Sequence, residues 1–245
     1  MKLALIGDPV EHSRSPELHG RFLEEAGIEG TYTAIRVARG GGAEAVRKLR
    51  AEGYIGLNVT TPLKEEVLSA CDELDEDARM SEAVNTIFLG RTILGSNTDG
   101  VGARSALETA LGQPVALERV GILGTGATAR AILAQLHETD AYTYVWGRDH
   151  DKVLALCDRF EAQQWPESRP EIVISTLPPK TDLPKHVLEH VRKADLVMDT
   201  NYGSRSTLEA LLQREVMKGG HMLEAQARAS FDFWLAHAQE QAERL

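Results

Sequence analysis

The stretch ERVGILGTGATARAILAQLHE, residues 118–138, decides how the chain is read. Val120, Ile122 and Leu123 make a short apolar run. Gly124-Thr125-Gly126-Ala127-Thr128-Ala129 follows, and Arg130–Leu136 then carries apolar residues at helical spacing. A strand, a glycine turn and a helix in this order fit the pattern G-x-G-x-x-G/A of a dinucleotide site. Gly124 permits the tight turn, Gly126 lets the backbone approach a pyrophosphate, and Ala129 allows close helix–strand packing. The helix N-terminus, with its unpaired N–H groups, then faces the phosphates. The next strand, YTYVWGR (142–148), ends on Arg148. An acidic residue there would bond the ribose hydroxyls of NAD, whereas arginine suits a 2′-phosphate, so NADP is the expected cofactor. Asp149 is left with two roles, a cap for the following helix or a ribose contact.

Working outward, the same alternation recurs on both sides. KLALIG (2–7), TYTAIRV (31–37) and YIGLNVT (54–60) read as strands. SPELHGRFLEEAGI (15–28), GAEAVRKLRAEG (42–53) and PLKEEVLSACDEL (62–74) read as helices, the first with Ser15 as cap and Pro16 at its first position. Further strands are expected near 83–89 and 92–95, and a helix near 103–111. After the glycine turn come a helix at 151–160, strands at 171–177 and 194–200, a helix at 208–220 and a long closing helix at 224–245. Strands alternating with helices predict an α/β fold with mostly parallel sheets.

The chain has 245 residues, 42% of them hydrophobic, and a net charge of −10. The length suits one large domain or two smaller ones. The acidic balance argues against nucleic acid or an anionic membrane as partner. The two cysteines, Cys71 and Cys157, read as small core residues, and His and Cys show no metal-ligand spacing. MKLALIGDPV is too short an apolar run for a signal peptide, and no segment reaches membrane-span length. A cytoplasmic protein is expected, and Asn58-Val59-Thr60 is then a chance match to a glycosylation acceptor.

GLNVTTPLKEE (56–66) places Lys64 in an expected first helical turn, where partial positive charge disfavours an ammonium. Other polar residues gather at strand ends: Ser13, Ser15, Asn58, Thr60, Asn85 and Asn97-Thr98-Asp99. In a parallel sheet the carboxyl ends of strands line the ligand crevice, so these groups converge on one polyhydroxylated ligand. Each also has a plain reading as a cap, a turn residue or a surface lysine.

GDPVEHSRSPELH (7–19), GLNVTTPLKEEV (56–67), AVNTI (83–87), NTDGVG (97–102), GTGATARA (124–131) and MLEAQARASFDFW (222–234) together resemble the shikimate dehydrogenases, in the order that family has them. The resemblance implies two α/β domains with the active site in the cleft between them. Residues 1–102, completed by a C-terminal helix at 222–245, would bind substrate, and 103–221 would form a Rossmann-like NADP-binding domain. The implied reaction is reversible NADP-dependent reduction of 3-dehydroshikimate to shikimate. Lys64 and Asp99 become the catalytic pair. Ser13 and Ser15 take the substrate carboxylate, and Asn58, Thr60, Asn85, Asp99 and Gln226 the ring hydroxyls, with Tyr202 on the substrate side. Gly124, Thr125, Gly126, Ala127, Thr128, Ala129, Arg148 and Thr176 fall to the cofactor, with Thr200, Gly219 and Met222 toward its nicotinamide end. No metal is implied, and a homodimer is left open. The chain departs from the family at Glu82, where a small glycine is usual, at Ala127, and at 174–178, which lacks the common asparagine. A quinate or amino-shikimate dehydrogenase using NAD or NADP is the alternative enzyme. A ligand sensor without catalysis is the non-enzymatic one, disfavoured because sensing alone would not need both Lys64 and Asp99.

Overall fold

Lys2–Gly7 (β1) is buried along nearly its whole length, as expected of a strand covered on both faces. It is followed by Ser15–Glu25 (α1), Thr31–Arg36 (β2), Gly42–Ala51 (α2) and Gly56–Val59 (β3). A 3₁₀ turn spans Glu66–Ala70. Then come Glu73–Leu74 (β4), Glu76–Ser81 (α3), Thr86–Leu89 (β5), Ile93–Ser96 (β6) and Asp99–Leu111 (α4). The rest comprises Arg119–Leu123 (β7), Ala127–His137 (α5), Tyr142–Trp146 (β8), His150–Phe160 (α6), Gln163–Gln164 (β9), Ile172–Ser175 (β10), Lys185–Lys193 (α7), Leu196–Asp199 (β11), Leu208–Leu212 (α8), Met217–Lys218 (β12) and Gly220–Glu243 (α9). The computed structural model describes residues 1–243, so the last two positions of the expected closing helix lie outside the described residues. The chain divides into two units, Met1–Asp99 together with the segment from Glu224 onward, and Gly100–Leu223.

The first unit carries the sheet β2-β1-β3-β5-β6-β4. Pairing is parallel except at β3–β5 and β5–β6, because β5 and β6 form a hairpin. Ala4, Ile6, Leu57 and Val59 pack on one face with Val46 and Leu49 of α2 and with Val67. The alternate residues Leu3 and Leu5 point to the other face. Phe22 of α1 and Phe231 of α9 meet there at 5.8 Å between ring centroids. Trp234 of α9, fully buried, donates from Nε1 to the carbonyl of Ile87 at 2.9 Å.

The second unit carries the sheet β12-β11-β10-β7-β8-β9, parallel throughout. Leu123, Val173 and Val197 of three adjacent strands pack against Val187 and Val191 of α7 and Leu208 and Leu212 of α8.

Two expected helices are broken up. Residues 62–74 form a turn, the 3₁₀ segment and β4, because Glu73–Leu74 pairs with Leu94–Gly95. Lys64 therefore sits in a turn before a helical segment, not in the first turn of an α-helix. Residues 208–220 stop being helical at Gln213, which adopts a left-handed conformation, and Met217–Lys218 joins the sheet beside Met198–Asp199. The amphipathic α7 and the short α3 are elements that the sequence pattern did not reveal. Both cysteines are half-buried and not core residues, and burial, helped by Asp72, pushes the Cys71 thiol up to about 12.

Candidate active site

In the first sheet β1 sits between β2 and β3, so the chain leaves β1 to one side and later returns on the other. Ligands of open α/β sheets gather outside the carboxyl ends of strands at such a reversal. The loop after β3 closes over the end of β1. The N–H of Thr60 donates to the carbonyl of Ile6 at 2.9 Å, and that of Asp8 to the carbonyl of Thr61 at 2.9 Å. A Cβ on Gly7 would lie 2.3 Å from the Thr60 methyl, so only glycine admits this approach. The loop after β1 brings in Ser13 and Ser15. Ser13 Oγ accepts from the Ser15 N–H at 3.2 Å, and the two hydroxyls are 3.1 Å apart. Ser15 is the first residue of α1 rather than its cap; Arg14 is the cap and makes no side-chain bond to the helix start, where Ser13 Oγ takes the first N–H.

Lys64 and Asp99 are joined directly, the ammonium donating to Oδ2. Both side chains are largely withdrawn from solvent, 14% and 8% exposed, so this is not one of the solvent-screened surface pairs that contribute little. Asn85 holds the other carboxylate oxygen, its Nδ2 lying 2.8 Å from Asp99 Oδ1. The N–H of Val84 donates to the carbonyl of Lys64 at 2.8 Å, which fixes the lysine backbone beside the asparagine. Gln226 Oε1 is 3.3 Å from the same Asn85 amide. Asn97, fully buried, bonds Ser81 Oγ and the carbonyl of Ala83 and accepts from the Asp99 N–H, so it secures the start of α4.

Asn58 lies one layer back. Its Oδ1 accepts from Tyr32 at 2.8 Å, and its Nδ2 is within reach of the Asn85 carbonyl, Thr86 and Ser230. With its amide buried and engaged, Asn58 is no sugar acceptor in the folded chain. Thr86, Ser230, Tyr32 and His19 belong to this region and were given no role in the sequence reading, while Thr98 was placed among the strand-end polar groups. His19 is fully buried, stacks on Tyr32 at 4.4 Å and borders Trp234. Among the described residues neither ring nitrogen has a hydrogen-bond partner. Burial lowers its pKa from 6.5 to about 3, offset only in part by the Asn58 side chain.

The second unit has its own reversal between β7 and β10. Gly124 ends β7 with φ of 121°, and a Cβ there would lie 2.2 Å from Thr176 Oγ1 at the end of β10. Thr176 is locked in place by bonds from its N–H and hydroxyl to the carbonyl of Leu123. Gly126 is the N-cap of α5 and has no side chain to close the helix start; a Cβ there would meet open space. With no acidic residue in its first turn, the start of α5 suits an anion, and Ala129 is fully buried against the sheet. The residues present fit a dinucleotide phosphate.

Asp149 proves to be a cap. Its Oδ1 accepts from the Lys152 N–H, and Oδ2 lies 3.6 Å from the Lys152 ammonium. Arg148 stands exposed beside it at the end of β8. Thr200 and Gly219 are brought together past β11, where a Cβ on Gly219 would lie 2.2 Å from the Thr200 carbonyl oxygen. Tyr202 begins a short 3₁₀ turn nearby in the chain, and Met222 is buried at the start of α9. Among the described residues, no group of three or more His, Cys, Asp or Glu side chains could hold a metal, and no helix is long and apolar enough to cross a membrane.

An all-parallel sheet with a glycine turn at its reversal, joined in one chain to a unit that buries a lysine–aspartate pair, defines a two-unit dinucleotide-binding α/β protein. Residues 5–87 match the family described as the shikimate dehydrogenase substrate binding domain. The chain is 34% identical to a shikimate dehydrogenase (NADP(+)) of Bacillus licheniformis, over 95% of this chain and 91% of that one. A crystal structure of a shikimate dehydrogenase in complex with NADP+ superposes with a TM-score of 0.83 at 30% identity, over 95% of this chain and 89% of that one. Another, from Thermus thermophilus in complex with NADP(H) and shikimate, gives 0.83 at 26% identity over 100% and 99%. The chain belongs to the shikimate dehydrogenase family.

Proposed function

We propose that the protein interconverts shikimate and 3-dehydroshikimate with NADP, the first unit holding the substrate and the second the cofactor. The observation that carries this reading is the buried Lys64–Asp99 pair, with Asn85 fixing the second oxygen of the carboxylate. NADP, when bound, supplies the hydride acceptor for oxidation and the hydride donor for reduction. The chain's own task is to orient the carbinol carbon and to manage one proton. Lys64 and Asp99 share the reacting hydroxyl, take its proton during oxidation and return it during reduction. Ser13 and Ser15, at the start of α1, suit the substrate carboxylate, since helix N-termini favour anions. Thr60, Asn85 and Gln226 take ring hydroxyls. Asn58, whose amide is already engaged, contributes mainly by holding the wall behind them. Tyr202 closes the substrate side. Gly124–Ala129 hold the pyrophosphate, Arg148 the 2′-phosphate, and Thr176, Thr200, Gly219 and Met222 the remaining cofactor surface. Asp149, occupied as a cap, leaves Arg148 to set the preference for NADP. Two free thiols suit a reducing compartment, and we place the enzyme in the cytoplasm.

Turnover of shikimate and quinate, each with NADP and with NAD, tests the reading. Shikimate with NADP gives the highest kcat/KM. Preference for quinate or NAD would reassign the substrate or cofactor, and no turnover in any combination would make the protein a ligand sensor.

A further inference from the structure

We infer that Ser230 is a positioning residue, a buried hydroxyl of α9 that holds Thr86 and Thr98 so that the Asn85 amide is aimed at the Asp99 carboxylate. The inference rests on the reading of Lys64 and Asp99 as the proton-handling pair.

Ser230 is fully buried on a face of α9 where Gln226, Ser230 and Trp234 follow at one-turn intervals, each bonded to the chain between Asn85 and Thr98. Its oxygen lies 2.7 Å from Thr86 Oγ1, 3.0 Å from Thr98 Oγ1 and 3.0 Å from Asn58 Nδ2, and it is 2.9 Å from the Gln226 carbonyl. Thr86 and Thr98 are themselves 3.5 Å apart, too far for a strong mutual bond, so Ser230 bridges them on one side as Asn85 Oδ1 does on the other.

What the link secures is the direction of an amide. Asn85 Oδ1 accepts from the Thr98 N–H at 2.9 Å and from the Thr86 hydroxyl at 2.8 Å. With the oxygen so held, Nδ2 must face Asp99. The hydroxyls of Thr86, Thr98 and Ser230 bring three protons to this cluster. If Thr86 donates to Asn85, Ser230 can donate to Thr86 and Thr98 to the Gln226 carbonyl, 3.1 Å away. Every acceptor is then served. Without the Ser230 hydroxyl, Thr86 and Asn58 each lose a partner among buried groups, where a depleted polar network is costly. The cheapest repair is for the Thr86 hydroxyl to swing, which releases Asn85.

The test is steady-state kinetics of Ser230→Ala and Ser230→Thr with shikimate and NADP, beside the unaltered enzyme and with the unfolding midpoint of each. Ser230→Ala lowers kcat on the order of tenfold or more, since small misplacement of reacting groups is costly. Its KM for shikimate rises by a smaller factor than kcat falls, because Ser13, Ser15 and Thr60 keep their substrate contacts. The acid limb of its kcat–pH profile moves to higher pH, the ionised carboxylate having lost a well-aimed donor. Ser230→Thr, which keeps the hydroxyl, restores most of kcat. Should Ser230→Ala fail to fold, Thr86→Val breaks the same link from β5 and is expected to show the same pattern. An alanine variant with normal kcat, or with kcat lost and an unmoved pH profile that threonine does not rescue, overturns the inference. Absence of turnover in the unaltered enzyme would instead overturn the functional reading on which it rests.

Discussion

Asn85 Nδ2 meets Asp99 Oδ1 at 2.8 Å while Lys64 donates to the other carboxylate oxygen, so Asp99 is held from both sides by side chains of different elements. The carboxylate cannot turn away without breaking one of these bonds, and the ammonium is fixed by the same constraint. In the proposed mechanism, Lys64→Ala removes the group that exchanges a proton with the reacting hydroxyl. We expect kcat to fall by about 10²–10⁴, the usual span for a positioned acid–base group. The KM for shikimate should change little, because Ser13, Ser15, Thr60 and Gln226 are untouched. Near-normal turnover would remove Lys64 from the mechanism.

Arg148→Ala bears on cofactor choice. The acidic residue next to it is bonded to the Lys152 N–H and paired with its ammonium, so it does not compete for the ribose. Losing a charged hydrogen bond costs about 1.5–3 kcal/mol, which corresponds to roughly ten- to a hundredfold in KM for NADP. The KM for NAD, which lacks the 2′-phosphate, should move by less than about threefold. Equal losses with both nucleotides would exclude a phosphate contact.

Local physics made some of this readable from sequence and hid the rest. The run from Val120 through Ala129 announces itself because strand, turn and helix are contiguous and glycine chemistry marks the join. Lys64 stood out as an ammonium where a helix start was expected and Asp99 as a polar residue at a strand end, and family resemblance paired them. The helix expected at 62–74 failed because Glu73 and Leu74 are claimed by a strand that follows twenty residues later, which no local pattern encodes. Ser230 was illegible for the same reason, since its partner Asn58 lies 172 positions away. The spacing of Gln226, Ser230 and Trp234 was a signal, as it places two polar residues on the face of α9 that is otherwise apolar. His19 carried no signal in the sequence, because its aromatic surroundings come from α1, β2 and α9 together.

His19 should make the protein acid-sensitive in a definable window. Its folded-state pKa is about 3 against an ordinary 6.5, because burial penalises the charged ring. Above 6.5 the imidazole is neutral in both states and the contribution is complete. As pH falls from 6.5 toward 3, the unfolded chain takes up a proton that the folded chain refuses, and stability is lost at up to about 1.4 kcal/mol per pH unit. His190, also lowered chiefly by burial, acts in the same direction. Urea unfolding of the protein and of His19→Phe between pH 7.5 and about 5, above the range where carboxylates dominate, checks this. The variant should lose most of the acid slope. An unchanged slope would show that other groups set it.

Glu82 tests the cost of a departure from the family pattern. It follows α3 with φ 49° and ψ 41°, the left-handed region, where a Cβ crowds the following carbonyl. The glycine usual at this position in the resembling family has no such penalty. Ala78 and Arg79 carbonyls accept from its N–H, so the backbone cannot relax without losing the end of the helix. The turn also matters to the site, because the next carbonyl, that of Ala83, accepts from Asn97 at 3.0 Å just before Asp99. Comparing Glu82→Gly with Glu82→Ala isolates the backbone, since both remove the carboxylate. Glycine should be the more stable of the two by about 1 kcal/mol, the left-handed penalty of alanine outweighing the greater chain entropy that glycine loses on folding. Urea midpoints measured at neutral pH give the difference directly. Alanine equal to or more stable than glycine would mean that the turn at Glu82 opens in solution and that the left-handed backbone is not maintained there.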